Sequence, residues 1–290
     1  MEKNKLLLTR ITIIAVFSAL CFAMTCVQIR MPAGDMVHLG NFVMILAALL
    51  LGGISGGLVG SLGMGLYDLI FYTSKTSTII RTFALKFLVG FLVGFFFQLV
   101  LKKKWKTNKL LLGSSIFFFV LFGITLTLFL LGDYSNLSFS TGLASNVTNV
   151  FHAEKTVTLY LYVPIFSFIF GLFLFVAFIL DHKFTERRKA ALFAITVAIL
   201  VNIIGEFLLR WVLEGFFNGD GYIASLVTAT SKIPGSLITG LISIILATVV
   251  YEPVYLGVKH LDLFKKIEKS DVESLESEEE TSLEEATNIQ

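Results

Sequence analysis

A stripe of polar side chains lies within one apolar segment of the chain's last third. Asn202, Glu206 and Arg210 follow one another at four-residue intervals, which places them on one face of a helix. Ionisable groups inside a membrane span are costly, so they pair with one another or line a watery cavity. The stripe therefore predicts either a wall of a cavity for a polar ligand or a structural ion pair between Glu206 and Arg210.

Two more ionisable residues belong to apolar segments earlier in the chain. Lys86 shares one predicted helical face with Gly90 and Gly94, so we expect it to face protein rather than lipid. Asp68 ends another apolar run, towards the same membrane face, and we predict it as the counter-ion of Lys86. These groups are suited to holding a small molecule.

The sequence contains no motif that indicates an enzyme, a metal site or a cofactor site. Walker, zincin and nucleophile-elbow patterns are absent, and the four histidines are scattered. Cys21 and Cys26, the only cysteines, lie five residues apart and point in different directions on a helix. We therefore expect no catalysis, no metal and no cofactor.

Composition places these residues in a membrane protein. Of the 290 residues, 56% are hydrophobic and only 15% are charged, and the mean hydropathy is +0.83. These values are typical of a polytopic all-α membrane protein and not of a soluble domain. The net charge of +2 does not indicate nucleic-acid binding, because the basic residues are distributed by membrane side.

We predict that the other helices pack around a membrane hairpin at residues 36–72. The stretch is apolar throughout, is interrupted at Gly52 and Gly53, and has polar residues only near its ends. Each arm has enough residues to cross a bilayer, which takes roughly 20. Glycines at steps of three and four residues predict a close helix contact along the second arm: Gly53, Gly56, Gly60 and Gly63.

About eight spans are expected, with both termini in the cytoplasm of a multi-pass cell-membrane protein. Basic clusters fall at the start and after the fourth, sixth and eighth spans, on the side that the positive-inside bias assigns to the cytoplasm. The polar residues described above then lie in the extracytoplasmic half. The expected spans are residues 7–27, two arms within 36–72, 78–101, 110–131, 157–180, 190–213 and 232–257.

Several runs resemble the S components of energy-coupling factor (ECF) vitamin transporters. The run HLGNFVMILAALLLGGISGGLVGSLGMGLYDL at residues 38–69 resembles the second and third helices of that family. RTFALKFLVG at 81–90 and KIPGSLITG at 232–240 resemble its fourth and last helices. An alanine stripe in the first span is similar to the small-residue motif of the family's first helix: Ala15, Ala19 and Ala23.

The resemblance implies a membrane-embedded capture protein without its own ATPase activity. S components bind a vitamin from outside, dock on a transmembrane T component driven by two cytoplasmic ATPase subunits, and tip over to release it. Because the family usually has six helices, residues 110–180 are interpreted as an inserted helix pair. The expected division is residues 1–101 with four helices, 102–189 with the inserted pair and basic loops, 190–262 with two helices, and 263–290 as a disordered tail that is basic and then acidic.

By position, the resemblance also implies a partner face and a pocket. The alanine stripe would face the T component. Ser236 stands where asparagine is frequent and Asn41 where aspartate is frequent, which leaves the substrate open. The residues expected to contribute to vitamin binding are Arg30, His38, Asn41, Tyr67, Asp68, Arg81, Lys86, Asn202, Glu206, Arg210, Trp211, Lys232 and Ser236.

The expected substrate is a pyridoxine-type or pyrimidine vitamin precursor, with riboflavin next. Glu206 and Arg210 would hydrogen-bond a polar heterocycle on which Trp211 or Tyr67 stacks. The alternative is a stand-alone secondary transporter of a small polar metabolite, coupled to an ion gradient through Asp68 and Lys86 or Glu206. The inserted pair is expected either to face lipid or contact a partner, or to form a dedicated subunit interface.

Overall fold

Helices form almost all of the described chain. The computed structural model describes residues 2–30, 36–73, 75–103, 105–131, 154–180, 184–217 and 221–260, and within these ranges the predicted all-α membrane architecture is confirmed. The elements are α1 (Glu2–Cys26), β1 (Gln28–Arg30), β2 (Met36–His38), α2 (Gly40–Leu51), α3 (Gly53–Phe71), α4 (Thr76–Lys102), α5 (Thr107–Leu131), α6 (Glu154–Ile179), α7 (Glu186–Phe217), α8 (Gly221–Ser231) and α9 (Ile233–Val258).

Six described segments are long and apolar enough to cross a membrane, and two apolar helical segments are shorter. The shorter ones are Gly40–Leu51 and Val163–Ile179. Together they correspond in position to the eight predicted spans, whereas α8 had no counterpart in the sequence analysis. The predicted tail at residues 263–290 lies outside the described residues. The six long segments are Leu7–Cys26, Gly53–Phe71, Thr76–Lys102, Thr107–Leu128, Glu186–Phe217 and Ala224–Val258.

The first arm of the predicted hairpin is too short to span a bilayer. β2 takes its first residues, so α2 begins only at Gly40, has 12 residues and is about 18 Å long at the α-helical rise. β2 pairs antiparallel with β1, with Gln28 opposite His38, whereas the sequence analysis expected no strand in either segment. Nearly every residue of α2 is buried, as expected of a helix that is apolar on all sides. This helix is therefore the centre of the bundle.

Glycines allow α3 to approach α2 and α4 at backbone distance. A Cβ atom on Gly90 would lie 2.6 Å from the carbonyl carbon of Gly56, and one on Gly57 would lie 2.7 Å from the carbonyl oxygen of Phe87. Gly52, with φ of 88°, makes the turn between α2 and α3 in a conformation that favours glycine. The predicted close approach is confirmed, since neighbouring helices lie against Gly53, Gly56, Gly60 and Gly63.

Helix α1 lies on the outside of the bundle, against α2 and α3. Arg10 ties one end of it to the turn between those helices, because its guanidinium donates to Ser55 Oγ at 3.2 Å and to the Leu51 carbonyl at 3.1 Å. Among the residues of α1 from Leu7 onward, those that are buried are Ser18, Cys21 and Thr25. The predicted alanine stripe is exposed: Ala15, Ala19 and Ala23.

Helices α5 and α6 form an apolar layer on one side of α7 and α9. Their contact is built from rings, with Phe118 stacked on Phe170 at a centroid distance of 5.3 Å. Ser115 Oγ also donates to the carbonyl of Gly171 at 3.0 Å. Large side chains on the outer face of α5, such as Phe117, are exposed, as is typical of a surface that contacts lipid.

Candidate substrate-binding site

A cavity of about 340 Å³ lies at one end of the bundle. The C-terminal ends of α1, α3 and α7 meet there with the N-terminal ends of α2, α4 and α9. Its volume is within the range of small-molecule sites, which starts near 300 Å³. The predicted residues that line it are His38, Asn41, Tyr67, Asp68, Arg81, Lys86, Asn202, Glu206, Arg210, Lys232 and Ser236.

Two predicted binding residues are not placed at the cavity. Trp211 does not line it and instead has its ring 6.4 Å from that of Phe207, centroid to centroid. Trp211 follows Arg210 directly, and one residue turns a helix by about 100°, so the ring points away when the arginine points inward. The side chain of Arg30 lies outside the described part of the chain.

Glu206 is the centre of a charged network that joins α4 to α7. Its Oε1 atom lies 3.0 Å from Lys86 Nζ, and its Oε2 atom lies 3.1 Å from Arg81 Nε and 3.6 Å from Arg210 Nη2. The contact with Arg81 Nε is an ion pair rather than an aligned hydrogen bond. Three cations around one carboxylate offset the cost of holding these charges away from water.

Glu214 completes this network, although the sequence analysis missed it. Its Oε1 atom lies 3.3 Å from Arg81 Nη1 and 3.3 Å from Arg210 Nη1. Glu214 lies four residues beyond Arg210, so the interval that identified the polar stripe of α7 would have found it one step later. The predicted ion pair between Glu206 and Arg210 is present, and the same side chains line the cavity.

The predicted pairing of Asp68 with Lys86 is wrong. Lys86 Nζ donates to Asn202 Oδ1 at 2.7 Å in addition to its contact with Glu206. Asp68 instead accepts a hydrogen bond from Thr82 Oγ1 at 2.5 Å. Thr82 lies one helical turn before Lys86 on α4 and at the same depth as Asp68. The threonine therefore reaches α3, whereas the lysine extends to α7.

The small sheet contributes a second part of the cavity lining. Gln28 Nε2 donates to the Tyr67 hydroxyl at 2.7 Å, and the Tyr72 hydroxyl donates to Met36 Sδ at 3.3 Å. His38 Nδ1 accepts the backbone N–H of Gly40 at 3.2 Å. Burial, followed by the positive charge of Lys86, lowers the pKa of His38 to about 4. His38 is therefore a neutral imidazole at physiological pH.

Two neutral side chains of the lining each have a buried polar atom with no hydrogen-bond partner among the described residues. These atoms are Asn41 Oδ1 on α2 and Thr239 Oγ1 on α9. Asn41 is 2% exposed and Thr239 is 4% exposed. An unpaired buried polar group costs roughly 1–3 kcal/mol, so both atoms are suited to a bound ligand.

The sequence analysis missed several lining residues because most of them are threonines, methionines or residues at helix ends. Glu214 continues the four-residue spacing seen in α7, and Thr78 and Thr82 stand at the same interval before Lys86, whereas the others show no such spacing. Nowhere in the described ranges do three His, Cys, Asp or Glu side chains gather so that they could hold a metal ion. The missed lining residues are Thr25, Met36, Met64, Tyr72, Lys75, Thr78, Thr82, Glu214, Thr228 and Thr239.

Comparisons with known proteins identify the family. A family model described as the S component of the ECF-type riboflavin transporter matches residues 5–163, more than half of the chain. The matched range includes α1 to α5 and the first part of α6, with the run at residues 38–69. Comparisons with curated proteins and with solved structures gave no match. The chain therefore belongs to the family of ECF-type riboflavin transporter S components, membrane proteins of vitamin uptake.

Proposed function

We propose that this protein captures a small polar vitamin or vitamin precursor of the pyridoxine or pyrimidine type. It acts as the substrate-binding S component of an ATP-driven ECF transporter. The observation that carries the proposal is the cavity, in which the charged network of α4 and α7 and two unpartnered polar atoms surround a space of about 340 Å³. Because their neighbours already hold these polar groups in place, they lose little side-chain entropy when they bind the substituents of a polar ring.

The lining supports a small polar ring over a large flavin ring system. Apart from Tyr67 and Tyr72, whose hydroxyls are hydrogen-bonded, Met36 and Met64 are the only apolar residues of the lining in the part of the chain that the structure describes. A fused three-ring system needs extensive apolar or aromatic surface along its faces. Riboflavin is the second candidate, because the family that matches the chain is described by that vitamin.

The direction of capture is supported by the position of the cavity along the bundle. Lys102 at the end of α4 and Arg187 at the start of α7 belong to the opposite end of the bundle from the cavity. The positive-inside bias assigns that basic end to the cytoplasm. The cavity would then take its ligand from the extracytoplasmic side, and the exposed alanine stripe of α1 would contact the T component.

Calorimetric titration of the detergent-purified protein tests the proposal. The panel consists of pyridoxine, 4-amino-5-hydroxymethyl-2-methylpyrimidine and riboflavin. We expect saturable binding of pyridoxine or the pyrimidine with a dissociation constant in the micromolar range or below. Tighter binding of riboflavin, or protein that is purified yellow with bound flavin, would show that riboflavin is the substrate and would leave the proposed capture function intact. Folded protein that binds none of the three would contradict the proposal.

The alternative mechanism is stand-alone secondary transport, because Lys86 and Glu206 are ionisable groups inside the cavity. Uptake in cells with and without the T component and the ATPase subunits separates the two mechanisms. We expect uptake to require those partners. Uptake that persists without them and collapses with the ion gradient would favour the stand-alone transporter.

A further inference from the structure

The cavity lining combines two different kinds of surface. Helices α4 and α7, which pack against each other, supply the charged network, and α2 and α9, which also pack against each other, supply neutral groups. Asn41 is on α2, and Ser236 and Thr239 are on α9. The charged and neutral surfaces therefore come from different helix pairs.

The charges of the inner lining are balanced and have partners within the protein. Arg81, Lys86 and Arg210 are matched in number by three carboxylates. Glu206 and Glu214 contact these cations, while Asp68 accepts from Thr82. The remaining lysines of the lining lie at helix ends, where Lys75 is exposed and Lys232 is half-buried. A ligand with a full charge placed beside Arg81, Lys86 or Arg210 would have to displace an existing pair, and breaking a buried pair is costly.

The neutral surface is where the protein lacks hydrogen-bond partners. Asn41 Oδ1 can only accept a hydrogen bond, so it requires an N–H or O–H donor. The Thr239 hydroxyl can donate or accept. Both atoms are buried and have no partner among the described residues, whereas other buried hydroxyls of α9 are satisfied by their own helix. Thr248 Oγ1, for example, donates to the carbonyl of Ile244 at 2.7 Å.

We infer that Asn41 and Thr239 form the specificity-determining contact of the site, and that they bind an uncharged heterocycle edge that presents a donor next to an acceptor. The charged network is then a positioning element that holds α4 against α7. This inference rests on the proposed function and deepens it by naming the part of the ligand that is recognised. An aminopyrimidine edge, a hydroxypyridine edge and the amide edge of a flavin all have this chemistry.

The first test replaces the unpartnered hydroxyl by a methyl group of similar size. Thr239→Val should lower the affinity for the tightest-binding compound of the panel about tenfold or more, since one hydrogen bond in a buried site is lost. Thr239→Ser, which keeps the hydroxyl, should bind within about threefold of the wild type. Thr248→Val is the matched control on the same helix, and it should not change the affinity.

Stability gives a readout that does not depend on the ligand. Without ligand, Thr239→Val and Asn41→Leu should unfold at or above the wild-type temperature, because each removes a buried polar atom that lacks a protein partner. A loss of affinity without a loss of stability is the signature of a ligand contact. If Asn41→Leu fails to fold, the Val and Ser variants of Thr239 decide the question.

The second test asks whether the recognised group is uncharged. 4-Pyridoxic acid has a carboxylate where pyridoxine has a hydroxymethyl group, so the same titration compares the two compounds directly. Nicotinate and pantothenate are further anions in the comparison. The tightest binder should be neutral, and a tightest binder that is anionic would overturn the inference. Wild-type affinity in both Thr239→Val and Asn41→Leu would overturn the inference and leave capture intact. Absence of binding by every compound would overturn the proposed function together with the inference.

Discussion

Lys86 Nζ lies 3.0 Å from Glu206 Oε1, and this contact joins α4 to α7 across the cavity lining. The side chain of Lys86 is 6% exposed and that of Glu206 is 14% exposed. Glu206 also contacts Arg81 and Arg210, so its removal would leave three cations without their shared carboxylate. The pair is therefore better understood as part of a network than as a single salt bridge.

Glu206→Gln should destabilise the protein by about 3 kcal/mol, the lower end of the cost of breaking a buried pair, because the cavity admits some solvent. Lys86→Met should cost less, since Glu206 keeps two other cations. The Glu206→Gln/Lys86→Met double variant should be more stable than the sum of the single effects predicts. Thermal and denaturant unfolding in detergent measure these differences. Additive effects would show that the two residues do not interact in solution.

His38 should make the stability of the protein depend on pH. Its pKa is about 4 in the folded protein and about 6.5 in an unfolded chain. The unfolded chain therefore binds more protons between these values. The free energy of unfolding therefore does not depend on the titration of His38 above pH 6.5, and it decreases as the pH falls from 6.5 towards 4.

His38→Gln removes this titration and keeps a side-chain acceptor for the N–H of Gly40. We expect the unfolding temperature of the wild type to fall more steeply between pH 7 and pH 5 than that of the variant. Carboxylates titrate in both proteins, so the difference between the two curves isolates His38. Parallel curves would contradict the lowered pKa.

Gly90→Ala should destabilise the contact between α3 and α4. The new Cβ would meet the backbone of Gly56 at 2.6 Å, and backbone atoms cannot move without separating the helices. Overpacking of this kind costs roughly 1–3 kcal/mol. Gly113→Ala is the control, because nothing lies within 4 Å of its Cβ position, and it should be neutral or stabilising by up to about 1 kcal/mol. Equal effects of the two substitutions would contradict the close approach.

Ala19→Trp should spare vitamin binding and reduce uptake at least tenfold, because a large ring on the exposed alanine stripe would block close helix contact with the T component. Ala84→Trp is the matched control, since Ala84 is also exposed but lies on α4. Binding is measured on the purified protein and uptake in cells that contain the T component and both ATPase subunits. Normal uptake by the Ala19 variant would place the partner contact elsewhere on the protein.

Several features of the chain were predictable because their physical causes are local in the sequence. The apolar runs that fix the helices, the glycines that face neighbouring helices, and the polar stripe from Asn202 to Arg210 all depend on periodicity within one segment. The cost of a charge in a membrane likewise indicated that Lys86 would face protein, which the structure confirms. The sequence by itself thus determined the membrane class, the order of the helices other than α8 and about half of the residues at the cavity.

Only the tertiary structure decided which of these groups meet. Lys86 contacts Glu206 rather than Asp68, and Glu214 joins the network, because pairing depends on the relative depth of α3, α4 and α7. The shortness of α2 depends on the pairing of β2 with β1, and strands of three residues are too short to show a periodicity of their own. The sequence placed Asn41 among the expected binding residues, but it could not show that Asn41 Oδ1 and Thr239 Oγ1 lack partners, since a polar atom is unpartnered only in relation to everything packed around it. Contacts between helices depend on the register and depth of the helices relative to one another, and neither quantity can be predicted from the periodicity of a single segment.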